Sequence, residues 1–347
     1  MADHLPLIHQ IEEALTENQS ESLICRFHFD DSSRSDRLPE NQLLFFFKPE
    51  CFQFPDKKQQ RQLMEMVFET FGRFNIRIDG AILLDGKRLE EFSIIDRHYG
   101  FINRLSRKAS EMVSPEDLAR IYDALGIADP EHYQVLGGHE FLKRYPEFDE
   151  KEENDFWLSK HSVKLRSGFY FQTYTVNGDK FIIINGFHPL QVRRYTHPLQ
   201  RIVVLLLNTD TDWKVLKADL SGDTYPERAR ATSIRGELFK NHEKYGLPPV
   251  DISTNCVHLS AGPFEAIFEI DNFLKNVDDA HFDLYKTNVA VRMQERALSR
   301  DEVDRSLTNP TAEIEGKVVD LNTFTEEKNT NDAIALYCEY FRIKNSE

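Results

Sequence analysis

The strongest chemical signal in the sequence is a histidine surrounded by groups that are able to orient it. Asn255, His258 and Ser260 lie within six consecutive positions, and Glu269 follows on a segment that we predict to be a helix. An imidazole becomes a useful nucleophile when it is neutral and when a carboxylate holds its second ring nitrogen, which fixes the tautomer. We therefore predict that His258 accepts a phosphoryl group and that the carboxylate of Glu269 holds the imidazole of His258.

Phosphoryl transfer also requires cations over the transferred group and an in-line approach. Lys48 and Arg235 are the candidate cations, and Thr224, Asn255 and Tyr99 are candidate polar contacts. Lys48 follows a strand that we expect to be buried, where an ammonium group is costly unless it meets a partner. These residues complete a set that is able to bind and transfer a phosphoryl group.

Each of these residues also has a plainer interpretation. A single histidine at a strand end is most often structural, a helical tyrosine such as Tyr99 usually packs in a core, and Lys48 can extend its ammonium group to water. No spacing typical of a zinc site occurs, so no protein metal site is predicted. The histidines that we interpret as structural are His132, His139, His188 and His197.

The predicted elements alternate between strands and helices. Apolar runs predict strands at 42–47, 76–84, 202–208 and 213–220, and apolar residues at helical spacing predict helices at 57–71 and 263–275. Asn177-Gly178 separates two apolar stretches, 169–176 and 180–184, which is typical of a β-hairpin with a type I′ turn. His258 is predicted to lie on a strand, directly before the helix that carries Glu269.

Composition excludes several classes of function. The chain has 347 residues, of which 40% are hydrophobic, and a net charge of −15, which disfavours nonspecific binding to nucleic acid and docking on an anionic membrane. The four cysteines lie far apart and form no CxxC pair, which argues against a disulfide framework and favours a reducing cytoplasm. The longest apolar run, 202–207, is too short to span a bilayer, and the N-terminus lacks the pattern of a signal peptide.

Four motifs, in the same order, resemble those of the nucleoside diphosphate kinase family. The first two are an apolar strand that runs into Lys48-Pro49 and the pair His98-Tyr99. The third is Gly-x-Thr-x-Pro followed by Ile-Arg-Gly, which corresponds here to Gly222, Thr224, Pro226 and 234–236. The fourth is Asn-x-x-His-x-Ser followed by Ala-x-x-Glu-Ile, which corresponds to Asn255, His258, Ser260, Ala266, Glu269 and Ile270. The resemblance covers 42–107 and 187–275.

The resemblance implies an α+β fold, with a ferredoxin-like antiparallel sheet and helices on one face. It also implies that His258 passes the γ-phosphoryl of a nucleoside triphosphate to a nucleoside diphosphate, while Glu269 and Ser260 support the imidazole. The residues that it assigns to nucleotide or phosphate binding, or to holding the histidine, are Lys48, Tyr99, Thr224, Arg235 and Asn255. Mg²⁺ is the implied cofactor, held mainly by phosphate oxygens, and a homo-oligomer is the implied assembly.

On this basis we divide the chain into an N-terminal extension (1–40), a kinase-like domain (41–275) interrupted by an insertion (109–186), and a C-terminal extension (276–347). Three positions depart from the family pattern. Leu259 and Ala261 stand where the family has Gly and Asp, and Ala218 stands where it has a second phosphate-binding Arg. Two alternatives therefore remain: a nucleotide-binding module with reduced catalysis, and a phosphotransferase for a different phosphorylated acceptor.

Overall fold

The computed structural model describes residues 5–17, 19–29, 38–53, 56–166, 168–277 and 281–342. Its internal contacts divide the chain into two compact units. The first unit consists of Met1–Arg88 together with Pro198–Glu347, and the second is Leu89–His197. Each unit has its own main sheet. No helix among the described residues is long and apolar enough to cross a bilayer.

The described strands and helices are numbered in chain order. The strands are β1 (Glu21–Cys25), β2 (Asn41–Phe47), β3 (Arg77–Asp85), β4 (Tyr133–Gly137), β5 (Val163–Arg166), β6 (Phe169–Val176), β7 (Asp179–Ile184), β8 (Arg201–Thr209), β9 (Val257–Leu259), β10 (Thr311–Ile314) and β11 (Lys317–Asp320). The helices are α1 (Leu5–Thr16), α2 (Lys57–Arg73), α3 (Gly86–Glu91), α4 (Ile94–His98), α5 (Gly100–Met112), α6 (Pro115–Leu125), α7 (Gly138–Arg144), α8 (Glu150–Leu158), α9 (His188–Thr196), α10 (Trp213–Val215), α11 (Ile234–Asn241), α12 (Pro263–Leu274), α13 (Asn288–Glu295), α14 (Arg300–Ser306), α15 (Leu321–Thr325) and α16 (Thr330–Leu336).

The main sheet of the first unit has the strand order β1-β3-β8-β2-β9, and its strands pair in the antiparallel direction. Without β1, the remaining four strands follow the ferredoxin-like order, in which the first and third strands are central. Helix α2 connects the first two of these strands, and α11 lies between the last two. The predicted ferredoxin-like α+β fold is therefore confirmed, and β1 from the N-terminal extension widens its sheet.

The interior strand β2 is buried on both faces, which explains its uninterrupted apolar run at 43–47. Leu43, Phe45 and Phe47 pack in the core formed with α2, since alternate side chains of a strand point to the same face. Phe46 faces the other way and packs against Phe273 of α12, with 5.4 Å between the ring centroids. Helix α12 therefore covers the face of the sheet opposite to α2, so the expectation that the helices lie on one face is wrong.

The segment 213–220 was predicted to be a strand, and this prediction is wrong. It forms α10 followed by a π-helical turn, Leu216–Ser221. Asp212 begins the helix, because its side chain accepts a hydrogen bond from the backbone N–H of Lys214. Trp213, Leu216 and Leu220 are buried, and their spacing of three and four residues is that of one helical face.

The second unit contains a four-stranded sheet with the order β4-β7-β6-β5. The predicted hairpin forms between β6 and β7, and Asn177 and Gly178 have φ angles of 54° and 90°, as a type I′ turn requires. One ionisable group is buried against this sheet. Glu153 of α8 is fully buried, and its Oε1 accepts a hydrogen bond of 3.1 Å from the hydroxyl of Tyr174.

Burial raises the pKa of Glu153 to about 8, although the bond from Tyr174 acts in the opposite direction. A carboxyl with a raised pKa in the folded state stabilises the protein fully below its unfolded pKa, and this stability is lost as the pH rises to the folded value. Between about pH 4.5 and pH 8, the wild type should therefore lose stability relative to Glu153→Gln. The difference between their free energies of unfolding should grow by at most ~1.4 kcal/mol per pH unit. Urea unfolding at several pH values measures this difference.

The exposed Glu147 provides the control for this comparison. Glu147→Gln should follow the wild-type stability at every pH. If the free energies of unfolding of the wild type and Glu153→Gln differ by the same amount at every pH, the buried carboxyl does not have the raised pKa.

Candidate functional site

His258 lies on the short edge strand β9, and its position is fixed by pairing with β2. Its partner in the register is Phe46, and the two rings are stacked with their centroids 4.6 Å apart and an interplanar angle of 17°. The side chain of His258 is 18% exposed. The imidazole is therefore supported on one face by a buried aromatic ring while part of it remains open to solvent.

The carboxylate of Glu269 joins His258 and Ser260. Glu269 lies on α12 and its side chain is 1% exposed. Its Oε1 is 2.7 Å from Nε2 of His258, and its Oε2 accepts a 2.6 Å hydrogen bond from the hydroxyl of Ser260. Because a carboxylate accepts hydrogen bonds, this contact assigns the ring proton to Nε2 and the lone pair of a neutral imidazole to Nδ1.

Ser260 connects this arrangement to the central strand. Its hydroxyl oxygen lies 3.0 Å from the backbone N–H of Leu44, from which it accepts a hydrogen bond, and 3.1 Å from the carbonyl of Leu44. The backbone N–H of Ser260 also donates to that carbonyl at 3.1 Å. Ser260 is fully buried, so it fixes one oxygen of Glu269 relative to the rigid sheet.

Lys48 and Asn255 form a second group beside β9. Lys48 directly follows β2, and its ammonium group donates a 2.6 Å hydrogen bond to Oδ1 of Asn255. The Asn255 amide nitrogen lies 3.4 Å from the carbonyl oxygen of Thr224, so it connects the lysine to the loop that begins at Gly222. Burial lowers the pKa of Lys48, and the charge of Arg235 lowers it further while that of Glu50 raises it.

Arg235 joins the same loop to the strand of the candidate nucleophile. It lies in the first turn of α11 and is 7% exposed. Its Nη1 donates to the carbonyl of Gly222 at 2.8 Å, and its Nη2 donates to the carbonyl of Val257 at 3.1 Å. Arg235 therefore holds the 222–224 loop next to β9, and it brings a second positive charge near Lys48.

The last two candidates are placed differently. Thr224 is exposed, and its carbonyl provides the contact with Asn255. Tyr99 belongs to the second compact unit. There its hydroxyl lies 3.4 Å from that of Tyr195, and its ring makes an edge contact with His188. The first unit thus connects seven of the eight predicted residues through these contacts. Tyr99 is the eighth, and it contacts Tyr195 and His188 in the second unit.

The sequence interpretation missed three residues of this region: Glu50, Phe46 and Glu265. Glu50 is 8% exposed and accepts a 2.8 Å hydrogen bond from the backbone N–H of Cys256, and its position two residues after Lys48 was an available signal. Phe46 had no such signal, because its contact with His258 depends on strand register. Lys217, beside Ala218, lies 3.6 Å from the carboxylate of Glu326. Glu265, on α12, is described below.

The fold and the site define an α+β domain of ferredoxin-like topology that presents a histidine held by a carboxylate. Solved structures similar to this chain include the nucleoside diphosphate kinase of Encephalitozoon cuniculi, with 11% identity, a TM-score of 0.32, and coverage of 70% of this chain and 95% of that one. An NDP kinase from Pyrobaculum aerophilum has 17% identity and a TM-score of 0.34, with coverage of 70% and 99%. The nucleoside-diphosphate kinase of Borrelia burgdorferi, solved with vanadate and ADP bound, has 15% identity and a TM-score of 0.33, with coverage of 70% and 92%.

The similarity to these kinases is distant. A comparison with protein-family models gave no match, and neither did one with curated protein sequences.

Gly222 provides a test of how the 222–224 loop is held. Its φ of 85° and ψ of 169° suit glycine, and a Cβ atom there would lie 2.3 Å from Oγ of Ser233, which caps α11 by accepting from the N–H of Gly236. We expect Gly222→Ala to lower the free energy of unfolding by about 2–4 kcal/mol, because it combines backbone strain with loss of the helix cap. Denaturant unfolding measures this change.

Gly316 is a matched control, since it also has a positive φ, 75°, but a Cβ there would meet no atom within 4 Å. Gly316→Ala should therefore cost only the backbone strain, about 1 kcal/mol. Equal losses for the two variants would mean that the contact between Gly222 and Ser233 does not constrain the loop.

Proposed function

We propose that this protein transfers the γ-phosphoryl group of a nucleoside triphosphate to a nucleoside diphosphate through a phosphohistidine on His258. The observation that carries the proposal is the placement of both Glu269 oxygens, one on Nε2 of His258 and the other on the Ser260 hydroxyl. This geometry orients a partly exposed imidazole and directs its lone pair to Nδ1. A carboxylate-oriented histidine is a general arrangement for an activated nucleophile.

In the first half-reaction, Nδ1 of His258 attacks the γ-phosphorus. The N–P bond forms as the bond between that phosphorus and the β,γ-bridging oxygen breaks, and the nucleoside diphosphate leaves with the electron pair. The imidazole becomes more cationic as the N–P bond forms, and the buried carboxylate of Glu269 stabilises this charge. In the second half-reaction, a terminal oxygen of the acceptor diphosphate attacks the same phosphorus and the N–P bond breaks.

The charges of Lys48 and Arg235 support binding of a polyphosphate next to His258. The charge of Arg235 lowers the pKa of Lys48, which means that the two cations disfavour each other in the protein alone. A bound anion between or beside them would relieve this repulsion, and phosphate oxygens are the acceptors that ammonium and guanidinium groups bind well. Asn255, bonded to Lys48 at 2.6 Å, would help to place the ammonium group.

Mg²⁺ fits this proposal as a companion of the nucleotide. Both oxygens of Glu269 already contact protein groups, so the metal is expected to be held mainly by phosphate oxygens, as Mg²⁺ commonly is. When bound, it would neutralise charge on the phosphates that the protein cations do not reach.

One observation favours a second candidate, a module that binds nucleotides without transferring phosphate. Arg235 is nearly buried and donates to two backbone carbonyls, and Lys217 beside Ala218 is near Glu326. If these cations keep their protein partners when a nucleotide binds, little positive charge remains to stabilise the transferred phosphoryl group. The labelling experiment below separates the two candidates.

The first test is labelling of the protein with γ-³²P ATP and Mg²⁺, followed by acid and base treatment. We expect an acid-labile, base-stable label that moves to added nucleoside diphosphates, because an N–P bond has this stability pattern. His258→Ala should remove the label completely, since the attacking atom is lost. His9→Ala is the matched control, because His9 is exposed and lies on α1.

Label that persists in His258→Ala would contradict the mechanism. Bound ATP without any label in the wild type would instead support the nucleotide-binding module.

The second test concerns Lys48. Lys48→Met keeps most of the side-chain volume but removes the charge, so we expect the Kd for ADP to rise by about tenfold or more, since hydrogen bonds to charged groups contribute roughly 1.5–3 kcal/mol. Titration calorimetry with Mg-ADP measures the change. Lys57→Met, at an exposed lysine of α2, should leave the Kd unchanged, and an unchanged Kd for Lys48→Met would remove Lys48 from the phosphate site.

A further inference from the structure

Glu265 lies one turn before Glu269 on α12, and the mechanism above assigns it no role. Its Oε2 accepts a short hydrogen bond from the backbone N–H of Ala261, the residue directly after Ser260. The carbonyl of the same Ala261 accepts a 3.0 Å hydrogen bond from the backbone N–H of Glu327. The peptide groups that follow Ser260 are therefore held from two sides, by the helix and by the C-terminal extension.

The next residue, Gly262, also lies close to the C-terminal part of the chain. A Cβ atom at Gly262 would lie 2.9 Å from the carbonyl oxygen of Thr325, which ends α15. Trp213 donates from its indole nitrogen to the carbonyl of Ser260 at 3.3 Å. The turn from β9 into α12 therefore has little room, and the carboxyl of Glu265 anchors it.

We propose that Glu265 is a positioning residue for the transfer reaction: its carboxyl fixes the turn between Ser260 and α12 through the backbone of Ala261, and it lies one helical turn from Glu269 on α12. This proposal rests on the proposed function. It differs from the roles implied for Glu269 and Ser260, because Glu265 acts through the backbone of Ala261 and through its charge.

The surroundings of Glu265 explain why its charge matters. Its pKa is raised to about 8, first by burial and then by the charge of Glu269 and, to a smaller extent, that of Glu326, while the Ala261 N–H and the nearby Lys217 lower it. At pH 7 the carboxyl is therefore mostly protonated. Above pH 8 it ionises and adds a negative charge beside Glu269, where an anionic nucleotide must approach His258.

The test measures the initial rate of His258 labelling by Mg-ATP at pH 7 and pH 9. In the wild type, we expect the rate to fall by about tenfold between these values, because roughly nine-tenths of a group with a pKa near 8 is ionised at pH 9. Glu265→Ala should lower the rate at pH 7 by about tenfold or more, since the anchor of Ala261 is lost and small displacements of reacting groups are costly.

Glu265→Gln is the conservative variant. It keeps an acceptor for the Ala261 N–H but cannot ionise, so we expect it to restore most of the rate at pH 7 and to remove most of the fall at pH 9. Glu295→Gln is the matched control, because it removes an exposed carboxylate at the end of α13. Its pH profile should remain that of the wild type.

Two results would overturn the role of Glu265: a Glu265→Gln profile identical to that of the wild type, or a Glu265→Ala rate at pH 7 equal to that of the wild type. Circular dichroism melting of each variant identifies any loss of the fold. Absence of label in the wild-type protein at pH 7 would contradict the proposed function itself and not the placement of Glu265. The two failures are therefore distinguishable.

Discussion

The candidate site depends on one buried carboxylate, that of Glu269. A buried carboxylate is costly unless its oxygens are satisfied, and here one oxygen meets the imidazole of His258 and the other meets the hydroxyl of Ser260. The contact with His258 also assigns the ring proton to Nε2. The contact with His258 thus both satisfies a charge in the interior and places the imidazole lone pair on Nδ1, the nitrogen that the proposed reaction uses.

The fold provides the rigidity that this interaction requires. Ser260 is bonded to Leu44 in the central strand, and His258 is stacked on Phe46, which packs against α12. The helix that carries Glu269 is covered on its other side by residues of the C-terminal extension, including Val289 and Met293, which share a core with Ile267. Residues of α13 therefore contribute to the stability of the site-bearing helix.

The sequence predicted those features that depend on local chemistry. The hairpin at Asn177-Gly178 forms because its turn needs two positive φ angles, and β2 and β8 are buried as their apolar runs indicate. The prediction of a strand at 213–220 was wrong because an apolar segment of this length fits both the strand period and the helix period. Trp213, Leu216 and Leu220 are buried together, as the spacing of one helical face allows. The stacking of Phe46 on His258 and the bond from Glu265 to Ala261 depend on register and on a tight turn, which local patterns do not specify.

The central claim is that Glu269 leaves Nδ1 of His258 as the nitrogen that attacks phosphorus. It is tested most directly by phosphorylating ¹⁵N-histidine-labelled protein with Mg-ATP and identifying by NMR which ring nitrogen is coupled to ³¹P. The account predicts coupling to Nδ1 of His258, with the proton retained on Nε2 beside Glu269. Coupling to Nε2, or phosphorylation of another histidine, would contradict it.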